Sequence, residues 1–207
     1  MSFEAPQPLT NSENPVDGTR LVQAFIENIK AHDHLLDLGA RDGWVEQMAF
    51  SKEPNLTVTA VDKMSDEELA KELIRSERVR DERITWVITD VVEYVRSLAK
   101  DQKFQGILAQ NIFQFLDKKV VLKELLPRLQ QSIAPGGQLA IRTFSAEPEP
   151  PFEKPFTSLY RSDDLLSLFP EQQWDIRINS ANKLNLNSLR NDKRDFSLVD
   201  FQAVKKK

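Results

Sequence analysis

The stretch that decides the fold is His34–Met48, HLLDLGARDGWVEQM. An apolar run ends on Asp37, glycines at 39 and 43 permit a tight turn, and a helical pattern begins at Trp44. This is the outline of a strand entering a helix through a loop that can come close to a ligand, with the unpaired helix amides aimed at it. Arg41 stands where such a loop ordinarily has a third small residue. A side chain of that size either fills the space over the turn or swings outward to pair with a carboxylate, of a ligand or of the neighbouring Asp42.

Outward from this loop, short apolar runs alternate with helical patterns. TRLVQAFIENIK precedes it and places Val22, Phe25, Ile26 and Ile29 on one helical face. After it come LTVTAV and SDEELAKELIRSERV, ITWVIT and VVEYVRSLA, FQGILAQ and DKKVVLKELLPRLQQSI, then GQLAIRTF. Ser65 with Glu68 forms a capping box, and Pro135-Gly136-Gly137 is expected to stop the last long helix before the fifth strand. Strands alternating with helices predict an α/β fold, a Rossmann-like and mostly parallel sheet with helices on both faces. Two late runs, WDIRINSA and RDFSLVDFQAV, follow without a helix between them and predict a C-terminal antiparallel hairpin, for seven strands in all. Between the two patterns, Ser145–Pro155 is a proline-rich polar connection, a lid or a spacer.

A chain of 207 residues with 40% hydrophobic content supports one core. A single domain is expected over 18–207, with residues 1–17 as a flexible arm. The formal net charge of −4 provides no global basic field, which disfavours a nucleic-acid partner. With no cysteine in the sequence, disulfides, thiolate metal sites and cysteine nucleophiles are excluded. No signal-peptide pattern opens the chain and no run approaches the ~18 apolar residues of a membrane span, so a cytoplasmic protein without a membrane partner is expected. His32 and His34 lack further ligand-type neighbours, and no metal site is expected.

In open parallel sheets ligands bind beyond the carboxyl ends of the strands. That rule selects Asp37, Gly39, Ala40, Arg41 and Gly43 in the first loop, Asp62 with Lys63 after the second strand, Asp90 with Val91 after the third, and Gln110 with Asn111 after the fourth. Asp62 lies about 20 residues past the glycine loop, where a carboxylate can accept both hydroxyls of a ribose; the alternative is a surface turn acid. Asp90 fits equally an N-cap, with Glu93 at the third helical position. Phe113 and Phe115 are candidate walls of a pocket or candidate core residues.

The motifs DLGARDG, AVDK, VITD, LAQN and IAPGGQLAI, in this order and with the terminal hairpin, resemble the class I S-adenosylmethionine-dependent methyltransferases over roughly residues 18–204. Within that superfamily, PFTSLYRSDDLLSLFPEQQWDI is similar to the region after strand five in the small tellurite-resistance-type enzymes. The resemblance implies S-adenosylmethionine as cofactor, with Asp37 and the glycine loop at its methionine end, Asp62 at the ribose, Asp90 and Val91 at the adenine, and Gln110 on the reacting side. It implies a small-molecule methyl acceptor, for which Asn111, Phe113 and Tyr160 are candidate contacts and Phe3, Phe152 and Phe156 further candidate walls. It carries over no general base, because the sulfonium already holds an activated methyl and positioning does most of the work. Two other readings fit the same residues: a member that keeps the fold as a binding or interaction module without turnover, which Arg41 favours, and a nicotinamide-dependent oxidoreductase. The APGG turn, the terminal hairpin and the lack of room for a separate substrate domain favour the methyltransferase.

Overall fold

A computed structural model describes residues 19–146, 158–185 and 195–207. The expected N-terminal arm, most of the proline-rich connection and the candidate walls Phe3, Phe152 and Phe156 lie outside these residues. The elements run α1 (Thr19–Glu27), β1 (His34–Leu38), α2 (Trp44–Lys52), β2 (Thr57–Asp62), α3 (Asp66–Arg75), β3 (Ile84–Ile88), α4 (Val91–Ser97) and β4 (Phe104–Gln110). They continue with α5 (Lys118–Val120), α6 (Leu126–Ser132), β5 (Ile133–Phe144), α7 (Ser162–Leu166), β6 (Trp174–Asn185) and β7 (Asp195–Lys205). One seven-stranded sheet has the order β3-β2-β1-β4-β5-β7-β6, parallel from β3 to β5 and antiparallel at β7 and β6. This is the predicted sheet, terminal hairpin included.

Alternation along β1 divides the core. Leu36 and Leu38 point to the face covered by α4, α6 and α7, where they meet Val91, Val95, Leu125, Leu129, Leu165 and Phe169. Leu35 points to the other face, under Leu21, Val22, Phe25 and Ile26 of α1 and Val45, Ala49 and Phe50 of α2. Asp37 has the parity of Leu35 and belongs to that second face. Helix α1 lies tightly on β4 because residue 106 is glycine: a Cβ there would stand 2.8 Å from both Leu35 and Phe25.

Between β4 and β5 the structure departs from a plain helix ended by glycine. Helix α5 passes through a single π turn, Val121–Leu125, into α6, whose first turn holds Pro127. Helix α6 ends at Ser132, and β5 pairs at once, Ile133 with Phe104. Pro135-Gly136-Gly137 therefore does not stop the helix. It forms a bulge inside the β5 entry, since the next pair is Gln138 with Gly106.

Candidate functional site

The carboxyl ends of β1, β2, β3 and β4 open onto a cavity of about 950 Å³. Its lining includes Asp37, Gly39, Ala40, Arg41, Asp62, Lys63, Asp90, Val91, Gln110 and Asn111, so residues chosen from four separate strand ends share one wall. Asp42, Trp44, Val45, Met64, Ile112, Gln114, Phe115, Leu116, Phe144 and Leu198 complete it. The charged groups cluster at the β1–β3 end, and the amides and apolar side chains at the β4–β7 end.

The glycine loop turns as its sequence requires. Gly39 (φ 80°) and Gly43 (φ 71°) are left-handed, and Gly43 stands at the N-cap of α2. Arg41 is left-handed as well, at φ 52°. It thus takes a backbone conformation that favours glycine while carrying a long side chain. That side chain is 61% exposed and reaches Glu72 of α3 at 3.4 Å, so it swings outward from the turn and pairs there rather than with Asp42. Asp42 is bound instead by Arg78.

Asp62 holds the loop from the second strand end. Its Oδ2 accepts the Arg41 amide at 3.1 Å and its Oδ1 the Met64 amide at 3.0 Å. A carboxylate has about four acceptor positions, so two remain for a ligand. Asp90 does cap α4: Oδ1 accepts from the Val92 amide at 2.8 Å and the Glu93 amide at 3.4 Å. No bond to Oδ2 is made among the described residues, and Asp90 lines the cavity while it caps. At the fourth strand end Asn111 is left-handed at φ 55°, its amide donating to Arg142 O at 2.8 Å and its carbonyl accepting from Gln114 Nε2 at 2.8 Å.

Of the two roles open to Phe113 and Tyr160 from sequence, pocket wall or packing, both take the second. Both are fully buried in the core, with ring centroids 6.5 Å apart and the Tyr160 hydroxyl donating to Phe113 O. Neither lines the cavity. The short 3₁₀ turn Phe113–Phe115 rotates Phe113 inward and leaves Phe115, 45% exposed, on the cavity wall.

Asp37 has a partner that the sequence reading missed. Glu46, on α2, is fully buried, and neither of its oxygens meets a hydrogen-bond donor among the described residues. It faces the Asp37 carboxyl, and two carboxyls bond only when one keeps its proton. Burial pushes Asp37 up to about 7, and the charge of Asp62 adds to this, against a hydrogen bond from Glu46 that works the other way. Glu46 is held well above the carboxylate range, by burial first and then by the charge and hydrogen bond of Asp37. The signal was present in the helix: Glu46 lies three and four residues before Ala49 and Phe50, both buried on one face of α2. Among the described residues no group of three or more His, Asp or Glu side chains could hold a metal ion, and no helix is long and apolar enough to cross a membrane.

No family model matches the chain. A curated relative, the malonyl-[acyl-carrier protein] O-methyltransferase of Halalkalibacterium halodurans, is 28% identical over 133 residues, which cover 62% of this chain and 46% of that protein. The match thus spans about half the length of the curated relative. Among solved structures, TehB from Haemophilus influenzae superposes with a TM-score of 0.67 at 17% identity, covering 94% of this chain and 64% of that one. The N-methyltransferase NodS from Bradyrhizobium japonicum superposes with a TM-score of 0.62 at 13% identity, covering 91% and 94%. A Burkholderia thailandensis 1,6-didemethyltoxoflavin-N1-methyltransferase, solved with 1,6-didemethyltoxoflavin and S-adenosylhomocysteine, superposes with a TM-score of 0.61 at 16% identity, covering 91% and 77%. The fold is that of the class I S-adenosylmethionine-dependent methyltransferases.

Proposed function

We propose that this chain is an S-adenosylmethionine-dependent methyltransferase acting on a small molecule. The observation that carries the reading is the single cavity into which Asp37, Asp62 and Asp90 open from three successive strand ends around the glycine turn. Asp62 has acceptor capacity left for the ribose hydroxyls, and Asp90 Oδ2 for the adenine amine, with Val91 beside the ring. Asp37, Gly39 and Ala40 form the floor for the methionine end, and Gly43 turns the chain into α2 beside it. The cavity volume suits a nucleoside-sized cofactor together with a small acceptor.

The cofactor supplies an electrophilic methyl on a sulfonium. The chain's own residues orient what meets it: Gln110 and Asn111 offer amide hydrogen bonds, while Phe115, Leu116, Phe144 and Leu198 exclude water and give an apolar bed. At this end of the cavity the described side chains are amides and hydrocarbons, none of which takes up a proton. The acceptor's own lone pair is the nucleophile, and alignment is the contribution of the protein. The outward pose of Arg41 supports a binding-competent pocket over a module that has lost its ligand.

Titration of the purified protein with S-adenosylmethionine, S-adenosylhomocysteine and NAD by calorimetry tests this. Micromolar binding of the first two without NAD is expected. Binding of NAD alone, or of none of the three, overturns the reading.

A further inference from the structure

Resting on the cofactor reading above, we infer that Glu46 is a positioning residue that shares a proton with Asp37, and that the ammonium of the cofactor's methionine end displaces this proton on binding. Asp37 lines the cavity, whereas Glu46, buried on α2, is not part of that lining and has the Asp37 carboxyl as its interacting neighbour. A fully buried carboxyl with no donor for either oxygen is costly as an anion. A proton held between the two carboxyls satisfies both while the pocket is empty of cation.

The charged surroundings favour exchange of that proton for a cation. Asp62 faces Asp37 from the end of β2, and Asp42 adds negative charge to Glu46 from the loop, its own charge partly met by Arg78. Arg41, the nearest cation in the loop sequence, is drawn away to Glu72 and so does not neutralise the pair. From β3 the group packed nearby is Trp86, whose buried Nε1 also lacks a partner among the described residues. Trp86 and the Glu46 carboxylate both approach the Cβ position of Gly43, at 3.4 and 3.8 Å. The benzo edge of the Trp86 ring, and not its Nε1, is the part that approaches this position, so Glu46 has an aromatic wall on that side and no donor there among the described residues.

The exchange balances simply: the ligand keeps its ammonium proton, Asp37 becomes a carboxylate against it, and one proton passes from the pair to solvent. Binding of S-adenosylhomocysteine, which carries the ammonium without the sulfonium, isolates the step. Its dissociation constant is expected to rise by up to tenfold per unit as pH falls through the range in which the pair takes up the shared proton, above the value of about 7 where burial places Asp37. Calorimetry at pH 8 in two buffers of different ionisation enthalpy is expected to show release of a substantial fraction of a proton.

Glu46→Gln cannot hold the shared proton and leaves Asp37 a fixed amide donor, so the release at pH 8 should vanish while binding persists. Glu46→Ala, in which Asp37 has no carboxyl to share a proton with, should lose the release at pH 8 as well and provides the test if the glutamine variant folds poorly. Equal proton release in the wild-type protein and a folded variant, or none in either, overturns the inference. Carbon-13 titration of the free protein's carboxyls separates this from the cofactor reading. A carboxyl titrating far above its ordinary range, and lost in Glu46→Gln, shows the shared proton without any ligand. Ordinary titration of both groups overturns the pair itself, whereas failure of S-adenosylhomocysteine to bind at every pH overturns the cofactor reading and the displacement step with it.

Discussion

Among the described residues, Arg142 with Asp200 and Asp37 with Glu46 of α2 are buried pairs of ionisable side chains on either side of β4, built on opposite terms. On the antiparallel side, Arg142 of β5 lies directly across from Asp200 of β7, 4% and 2% exposed, with two parallel hydrogen bonds of 2.6 and 2.7 Å. On the parallel side, Asp37 and Glu46 bring like charges together where no donor reaches Glu46. The first pair satisfies itself and belongs to the architecture. The second is complete only with something added, a proton or a cation, and it lies under the cavity. Buried polarity that is self-sufficient marks structure, and buried polarity that is incomplete marks a site.

The contrast is broken most directly at Arg142. Asp200→Ala leaves a buried guanidinium without its fork of acceptors and should cost about 3–5 kcal/mol in denaturant unfolding. A loss below ~1 kcal/mol would mean that Arg142 finds water or another acceptor, and the pair would no longer serve as the satisfied reference. The opposite sign is expected at the other pair. Between the ordinary carboxyl range and the raised values in the fold, the unfolded chain has released protons that the folded pair keeps, so wild-type stability falls as pH rises from about 4.5 through 7. Glu46→Gln should flatten that slope and gain ~1–3 kcal/mol at pH 8. A variant less stable than wild type at pH 8 would make Glu46 a structural residue like Asp200.

Smaller effects sharpen the site itself. Asp62→Ala should weaken S-adenosylhomocysteine binding by about tenfold or more, the ~1.4 kcal/mol of a charge-assisted hydrogen bond to the ribose. Unchanged affinity by calorimetry would remove Asp62 from the site. Arg41→Gly loses only an exposed ion pair, for ~0–1 kcal/mol of stability, and should move affinity by less than about threefold. A tenfold gain in affinity would show that the arginine obstructs the pocket after all.

The strand ends were legible because each is fixed by a local pattern: an apolar run, a polar stop, a helix start. The parallel direction of the strands follows from alternation of elements, though their order does not, and Asp37, Asp62, Asp90 and Gln110 share one cavity because a parallel sheet gathers its carboxyl ends on one edge. What was not legible depends on rotation about an axis that sequence spacing leaves free. Phe113 and Phe115 are two residues apart in a turn, and only the turn's geometry decides that the first enters the core and the second the pocket. Tyr160 is a candidate acceptor contact only through the family resemblance, and a carbonyl partner for its hydroxyl inside the core allows full burial instead. Glu46 reads as an ordinary acid in the first turn of a helix. Its burial becomes visible only when α2 is seen to be apolar on several sides, with Trp44, Val45, Met48, Ala49 and Phe50 around it. Arg41 was recognised as anomalous, but its exit route depends on Glu72 standing on the next helix, which no local pattern specifies.

The placement of β7 has a consequence for how the chain assembles. β7 follows β6 in sequence yet lies inside it in the sheet, and β6 touches the sheet only through β7. An emerging polypeptide can therefore complete the five parallel strands and then has to wait, with the β5 margin open, until the Asp195–Lys205 segment arrives to wedge in. During that interval the β5 margin presents unpaired backbone groups and the apolar side chains that Val199, Phe201 and Ala203 later cover. The open sheet margin of the growing chain thus falls at the antiparallel end, and the cavity, whose wall includes Leu198 of β7, is closed only when that segment arrives.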